Sequence, residues 1–415
     1  MVTAAQDFDV AIVGGGMVGA SLACLLAQSC SDQRIALIEA FAMPNGKPDA
    51  PLRPSFDARS TALAQGSVEI FQQLGLWSTL AQHATPLHQV HVSDRGHFGG
   101  SVIDAAEQGL DALGYVVENR WLGAVLLQQM QAYDNITCIA PARVTSLQPR
   151  RDGALLQVSA ADASPAPLCC KLAVIADGGD SPLRKALGIQ TQNTDYGQQA
   201  IVANVAFDQS HQQVAYERFT DQGPLALLPL GEGTDNHRSA LVWTQPQDRA
   251  EAIMGLSDSA FLAELQQRFG YRLGHFTKVG ERSAYPLHLV AACEQVRSHI
   301  VLMGNAAHSL HPVAGQGFNL ALRDCATLVE VLREGERCGA ALGKLSQLQE
   351  YQRRQHLDQT STIRFSDTMA QLFSTAQLPA AVLRHLGFLG LELLPAAKDL
   401  LARQSMGKAI RSPRL

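Results

Sequence analysis

The sequence predicts an α/β (α+β) chain, and three observations predict it. The amino end reads as strand, glycine turn, helix and strand within about forty residues; the middle carries runs that alternate with period two; the carboxyl end is a long apolar run with scattered Arg and Lys. The first pattern is a Rossmann-like dinucleotide-binding unit, the second an inserted, mostly antiparallel β-sheet, and the third a set of C-terminal helices.

Composition bounds the reading. The 415 residues are 46% hydrophobic, enough for two domains or for one large domain with an insertion. A net charge of −5 argues against a nucleic-acid partner, whose phosphates call for clustered Lys and Arg. The eight cysteines show no paired spacing, and adjacent Cys169-Cys170 suits neither a zinc site nor an ordinary disulfide, so a reducing cytoplasm is expected. MVTAAQDFDVAIVGGG reads as the start of the fold rather than as a signal peptide. Nothing reaches the roughly 18 uncharged apolar residues of a spanning helix.

In chain order, FDVAIVGGGMVGASLACLLAQ predicts a strand over Phe8 to Val13, a turn on Gly14-Gly15-Gly16 and a helix to about Gln28; RIALIEA adds a strand ending at Glu39. Gly14 permits the tight turn, Gly16 lets the backbone approach a pyrophosphate, and Gly19 lets the helix pack on the sheet. The helix N-terminus offers free N–H groups to phosphate. Glu39 is placed to accept from an adenosine ribose, and an acid there disfavours a 2′-phosphate, so the resident nucleotide is FAD or NAD rather than NADP.

The proline-rich run from Met43 to Pro54 reads as a loop. FDARSTALAQGSVEIFQQLGLW reads as an arginine-bearing turn entering an amphipathic helix with Ala64, Val68, Phe71 and Leu74 on one side. Arg59 is either a phosphate partner or a solvated arginine at a helix start. LHQVHVSD, QAIVANVAF, AYERFT, LALLPL and RSALVWT alternate as half-buried antiparallel strands do. CCKLAVIADGGDSPLRKALGI is a buried strand ending on Asp177-Gly178, with Ser181 and Arg184 at the mouth of a helix. Finally, VLMGNAAHSLHPVAGQGFNLALRD runs a strand into Gly304-Asn305, then a glycine- and histidine-bearing loop, then a helix.

Together these residues carry a resemblance. Gly14-x-Gly16-x-x-Gly19, Asp177-Gly178, and Gly304-Asn305 followed by Pro312, Gly315, Gln316, Gly317 and Asn319 occur in the order and at about the distances seen in the single-component FAD aromatic hydroxylases typified by p-hydroxybenzoate hydroxylase. HVSDRGHFG, YERFTDQGPLALLPL, ERSAYPLHL and GNAAHSLHPVAGQGFN look most similar to the branch acting on ubiquinone precursors, the 2-polyprenyl-6-methoxyphenol hydroxylases, and the likeness runs over nearly the whole chain.

The resemblance implies an FAD-binding domain from residues 1–85, 103–192 and 287–345, a substrate-binding sheet from 86–102 and 193–286, and a helical region over 346–415. It implies cofactor contacts from Gly14, Gly16, Gly19, Glu39, Arg59, Asn119, Asp177, Gly304, Asn305, Gly317 and Asn319. Pro312 and Gly315 then lie near the flavin ring, with backbone N–H groups around Gly317 and Asn319 facing the negative charge of the reduced ring. The family mostly carries Asp where this chain has Asn305, which keeps a ribityl hydrogen bond but makes the site less negative. Asn119 falls where many relatives place a flavin-contacting arginine. His308 and His311 invite a metal or acid–base reading, but the flavin supplies the reactive atoms, and no metal is expected.

The implied reaction takes electrons from NAD(P)H and oxygen from O2, through a flavin C4a-hydroperoxide, to hydroxylate a polyprenylated methoxyphenol. With one fingerprint visible, the nicotinamide binds transiently. Arg218, Phe219, Leu228, Pro229, Trp243 and Tyr285 are the substrate-facing candidates, for a mostly apolar pocket. The run from Leu378 to Arg411 reads either as packing on the protein's own core or a partner, or as peripheral contact with the inner membrane, where other quinone-pathway enzymes are further partners. Three alternatives stay open: the same fold acting at another ring position or on a soluble aromatic acid, a reductase or dehydrogenase that does not use oxygen, and a non-catalytic flavin-binding scaffold.

Overall fold

The computed structural model describes residues 6–43, 59–94, 100–160, 165–231, 236–311 and 315–374. From the amino end, β1 (Gln6–Val13), α1 (Met17–Ser29) and β2 (Ile35–Ile38) precede β3 (Ser60–Ala64), α2 (Gln65–Gln73), α3 (Trp77–Leu80) and β4 (Ala84–Leu87). Next come β5 (Gln89–Asp94), β6 (Gly100–Asp104), β7 (Gly114–Glu118), α4 (Asn119–Gln131), β8 (Ile136–Ile139), β9 (Ala142–Arg150), β10 (Gly153–Ala160), β11 (Ala166–Ile175) and α5 (Pro182–Ala186). Then follow β12 (Thr191–Phe207), β13 (Val214–Thr220), β14 (Gly223–Leu230), β15 (Arg238–Pro246), α6 (Gln247–Met254), α7 (Asp258–Phe269), β16 (Phe276–Val279) and β17 (Ser283–Ala292). The chain continues through β18 (Val296–Arg297), β19 (Ile300–Leu302), β20 (His308–Ser309), α8 (Gln316–Arg337) and α9 (Leu345–Ser374).

An eight-stranded sheet in the order β18-β19-β11-β1-β2-β8, with β9 and β10 attached through β11, has β19, β11, β1, β2 and β8 running parallel. A parallel sheet is covered on both faces, which is why DVAIV and IALI are continuously apolar. Successive residues of β1 feed two cores: Val10 and Ile12 pack with α1, α4 and α8, whereas Ala11 and Val13 pack with the β9–β10 hairpin and α5. Helix α1 is buried along most of its length between the sheet and its neighbours, so LACLLA is apolar on nearly every side.

The second, nine-stranded sheet runs β20-β17-β12-β15-β14-β13-β5-β6, with β16 paired to β12. Only the β13–β5 pair in it is parallel. One face carries α6 and α7 over Ile201, Leu225, Leu227, Leu241 and Trp243. The other packs Ala215, Leu230 and Ala240 against Leu87, Leu113 and Val116 at the small sheet β3-β7-β4. That small sheet corrects one expectation: Ser60–Ala64 is a strand paired with β7, and the helix begins only at Gln65. Ala62, Leu63 and Ala64 are good helix formers, and five ladder pairs with β7 override that preference.

Candidate functional site

The carboxyl ends of β1, β11 and β19 lie side by side, and three glycine-bearing turns leave the sheet there. The backbone demands glycine at the first of them. Gly14 sits at φ +106°, and a Cβ on it would lie 2.3 Å from the Ala176 carbonyl oxygen; one on Gly19 would lie 1.9 Å from the Gly14 oxygen. Gly16 precedes α1 with no side chain capping the helix, so the first N–H groups of α1 remain open to a ligand, as phosphate binding requires.

Glu39 stands one residue past β2. Its Oε2 accepts the Gly15 N–H at 2.6 Å and its Oε1 the Phe41 N–H at 2.9 Å, which orients the carboxylate beside the glycine turn and leaves lone pairs for ribose hydroxyls.

The second and third turns are clamped to each other. Arg184 donates from Nη1 to the Ala306 oxygen and from Nη2 to the Gly179 oxygen, both at 2.8 Å. Gly304, at φ +57°, rests over Val18 in the first turn of α1. Asn305 is exposed beside Gly179, and its side chain makes no hydrogen bond among the described residues. The oxygens of Asp177 are buried with no hydrogen-bond partner among the described residues. Burial lifts its carboxyl above the ordinary value of 3.8, against smaller lowering effects of hydrogen bonding from the Ser181 hydroxyl and the Asp177 and Leu183 N–H groups, too long to satisfy its oxygens, and of the Arg184 charge. An acid left this way calls for a donor from a ligand.

Around Gly315 the chain enters α8. Gly315 is the left-handed cap of that helix, at φ +59°, and no side chain caps it. A Cβ on Gly317 would touch nothing within 4 Å among the described residues. Asn319 is corrected here. Its Nδ2 donates to the Ala62 and Gly315 oxygens at 2.8 Å, while its Oδ1 accepts from the Ala64 N–H at 2.8 Å and the Ser67 hydroxyl at 2.7 Å. The side chain is a clamp joining α8 to β3 and α2, and its own N–H stands a full turn inside the helix, where it closes the ladder. The N–H groups of the first turn belong to Gln316, Gly317 and Phe318. Pro312 lies outside the described residues.

Arg59 and Asn119 sit together: the Asn119 N–H donates to the Arg59 oxygen at 2.8 Å, and Asn119 Oδ1 accepts the Thr61 hydroxyl at 2.6 Å. The Asn119 side chain is buried, and the Arg59 guanidinium lies 4.7 Å from the centroid of the Tyr285 ring. His308 Nε2 meets Asp324 Oδ2 at 2.7 Å, and His311 packs edge-on against Tyr196 at 5.2 Å. Burial lowers His311 to about 4. No group of three His, Cys, Asp or Glu among the described residues is arranged to hold a metal ion.

The substrate candidates divide between the two faces of the large sheet. Trp243 is 0% exposed and meets Phe261 of α7 at 5.8 Å, on the face covered by helices. Arg218 pairs in register with Leu225, and Pro229 with Ser239 next to Leu241, so both share that face. Arg218, Pro229 and Trp243 are therefore turned away from the cleft, because side chains alternate along a strand and the helices took their face. Phe219 and Tyr285 point to the other side, Phe219 buried and Tyr285 half-buried under Arg59. What the sequence reasoning missed on that second face is a row of half-buried side chains: Val92, Glu217, Ala226, Val242 and Val202 oppose one another across five strands. The signal was present, since a lone Glu in AYERFT stands out in an apolar alternation.

The set fits a bound dinucleotide with a flavin: a glycine cradle that no Cβ can enter, an uncapped helix start for the pyrophosphate, an acid for the ribose, a polar exposed Asn305, an unsatisfied Asp177, and a second helix start at Gly315 for a ring. Asp177→Asn tests the cradle. An unpaired carboxyl whose folded pKa is raised costs stability above 3.8 and none below it. The apo-protein carrying Asn should therefore unfold later in urea at pH 7, while retaining FAD at least about tenfold more weakly, a loss of about 1.4 kcal/mol. Unchanged flavin affinity would remove Asp177 from the site.

A family model described as the FAD binding domain matches residues 7–366. The ubiquinone hydroxylase UbiL of Rhodospirillum rubrum is 37% identical over 404 residues, covering 96% of this chain and 89% of the relative. The 3-demethoxyubiquinol 3-hydroxylase of Escherichia coli is 31% identical over 97% of this chain and 99% of its own length. The mitochondrial ubiquinone biosynthesis monooxygenase COQ6 of Homo sapiens is 28% identical over 92% of this chain and 88% of its own. Among solved structures, p-nitrophenol 4-monooxygenase PnpA from Pseudomonas putida superposes with a TM-score of 0.77 at 18% identity, over 99% of this chain and 100% of that one, which establishes the fold.

Proposed function

The chain belongs to the FAD binding domain family and is an FAD-dependent aromatic monooxygenase; we propose that it hydroxylates the ring of a polyprenylated methoxyphenol on the route to ubiquinone, with NAD(P)H as electron donor and O2 as oxygen source. The observation that carries the reading is the juxtaposition of a flavin cradle with a half-open apolar sheet face. The relatives named for ubiquinone hydroxylation support the pathway.

FAD, when bound, supplies the hydride-accepting and oxygen-activating chemistry. The residues of this chain do the rest. Gly14 to Gly19 and the start of α1 hold the pyrophosphate; Glu39 takes the adenosine ribose; Asn305 and Asp177 take polar groups of the linking chain. The positive end of the α8 dipole would stabilise negative charge on the ring. On the substrate side, Val92, Ala226, Leu228, Val242 and Val202 exclude water and receive an apolar molecule. Tyr285 and Arg59 stand at another edge of the same face. We read the sheet of 86–102 and 193–286 as the substrate module. The run 378–411, outside the described residues, is the proposed membrane contact; no helix among the described residues is long and apolar enough to cross a membrane.

The test is a turnover of purified holoenzyme with a short-tailed polyprenyl methoxyphenol, NADH or NADPH, and 18O2. One 18O per product, with NAD(P)H, O2 and product in equal amounts, is the expected outcome. Oxidation of NAD(P)H with product lacking the label would favour a reductase. Labelling at another carbon would move the ring position within the same chemistry.

A further inference from the structure

We propose that Glu217 is the general base that accepts the proton of the substrate's phenolic hydroxyl before the ring is hydroxylated, an assignment that rests on the hydroxylase reading above and names the group that activates its substrate.

Glu217 lies in the middle of β13, opposite Ala226 of β14 and Val92 of β5. Its neighbours Tyr216 and Arg218 point to the helix-covered face: Tyr216 meets Phe269 of α7 at 5.5 Å, and Arg218 pairs with Leu225. Glu217 therefore points to the cleft face, in the row that continues through Val242 and Val202. It is half-buried, and makes no hydrogen bond or ion pair among the described residues. A carboxyl in an apolar row without a partner is costly to keep unless a ligand uses it.

The surroundings explain its readiness to take a proton. By register the next titratable group on its own face is Asp94, opposite Phe219. On β14, β15 and β12 the facing residues are Ala226, Val242 and Val202, which carry no charge, and Arg218, Arg272 and His91 gather on the other face. Burial alone lifts Glu217 from 4.5 to about 7, with no charged neighbour contributing. Near neutral pH roughly half of such a group is ionised, which is where a general base works best. A lipid-tailed phenol entering this face brings few polar atoms, and its hydroxyl is the natural partner for the Glu217 carboxyl.

In the step, the substrate O–H bond breaks, its proton bonds to a Glu217 carboxylate oxygen, and the electron pair stays on the phenolate oxygen. The added electron density at the ortho and para carbons favours electrophilic attack on the ring. No external oxidant or reductant enters this step.

The experiment compares wild-type, Glu217→Gln and Glu217→Asp holoenzymes with a short-tailed prenyl methoxyphenol as the probe. Phenol binding is read by ultraviolet difference spectra, and hydroxylation by product formation against pH. Hydroxylation in the wild type should rise with pH through about 7 as Glu217 ionises, and the Gln variant should lose that rise. Hydroxylation should fall by about 10² to 10⁴ in Gln, with phenol dissociation constants within threefold and partial recovery in Asp. The Gln variant should also unfold later than wild type in urea at pH 8 and equally at pH 4.5, because the cost of the carboxylate appears as pH rises from 4.5 to about 7; this excludes misfolding as the cause of lost activity. Turnover within threefold of wild type and an unchanged pH profile in Gln would overturn the proposal and leave the hydroxylase reading standing. Wild-type enzyme that binds the phenol but yields no hydroxylated product would sink both.

Discussion

Replacing Gly19 by alanine is expected to leave a protein that does not hold FAD and unfolds at markedly lower denaturant. The added carbon would sit 1.9 Å from the Gly14 carbonyl oxygen and 3.3 Å from Ile12 Cγ2. The first contact is with backbone, so no rotamer change relieves it. Relief would need α1 to lift from β1, and that helix is buried over Gly19 to Ala27. Nor can the turn yield the other way, since Gly14 already stands against Ala176 at the end of β11. Overpacking in a well-packed core costs about 1 to 3 kcal/mol, and clashes with fixed backbone fall at the top of that range or above it. Urea unfolding of the apo-protein and flavin content after purification check this. The control is Gly317→Ala, where a Cβ meets nothing within 4 Å among the described residues: its apo-protein should unfold no earlier than the wild type. A Gly19→Ala protein with wild-type stability and full flavin would show that α1 is not locked to the turn.

Asp324→Ala should have an effect of similar size by another route. Asp324 is 0% exposed on α8. Its Oδ2 partners His308 Nε2 at 2.7 Å, and its Oδ1 accepts from Gln355 and Gln359 of α9 at 2.8 and 2.9 Å. One residue back, Arg323 forms a two-pronged pair with Asp358, at 2.6 and 3.0 Å. Removing the Asp324 carboxylate strands three partners in the interior, and breaking such a buried network costs about 3 to 5 kcal/mol. Because His308 stands on the loop between Gly304 and Gly315, weaker flavin retention should accompany the loss. In a double-mutant cycle with His308→Ala the two effects should fall short of additive by about 0.5 to 3 kcal/mol. Strict additivity would mean that the His308–Asp324 contact contributes nothing.

The parts of the proposed site that the sequence alone points to share a physical feature. Gly14, Gly16, Gly19, Gly304 and Gly315 are imposed by backbone geometry at fixed spacing, and such demands are written in the residues themselves. Glu39 is legible for the same reason, since its place is set by the length of one βαβ unit. Asn319 was found at the right place and given the wrong duty. Its position marks the start of α8, but only the fold shows that Ala62, Ala64 and Ser67 come within reach of its amide. Ser60–Ala64 was read as the approach to a helix because its partner β7 lies some fifty residues away in the chain.

The strand residues teach the sharper lesson. Arg218 and Phe219 were chosen together as substrate contacts, although neighbours on a strand face opposite ways. Period two determines that Glu217 and Phe219 share one face and Tyr216 and Arg218 the other, and the sequence by itself determined that much, together with the dinucleotide turn, the buried parallel strands and the chemistry of the family. Which of the two faces is covered by helices was decided only by the tertiary structure. Helices α6 and α7 cover one side with Phe261, Leu265 and Phe269, and the small sheet β3-β7-β4 packs on the other. Alternation is a local property of the chain, but the covering of a face is a competition between distant segments for apolar area, and it is settled only when they pack.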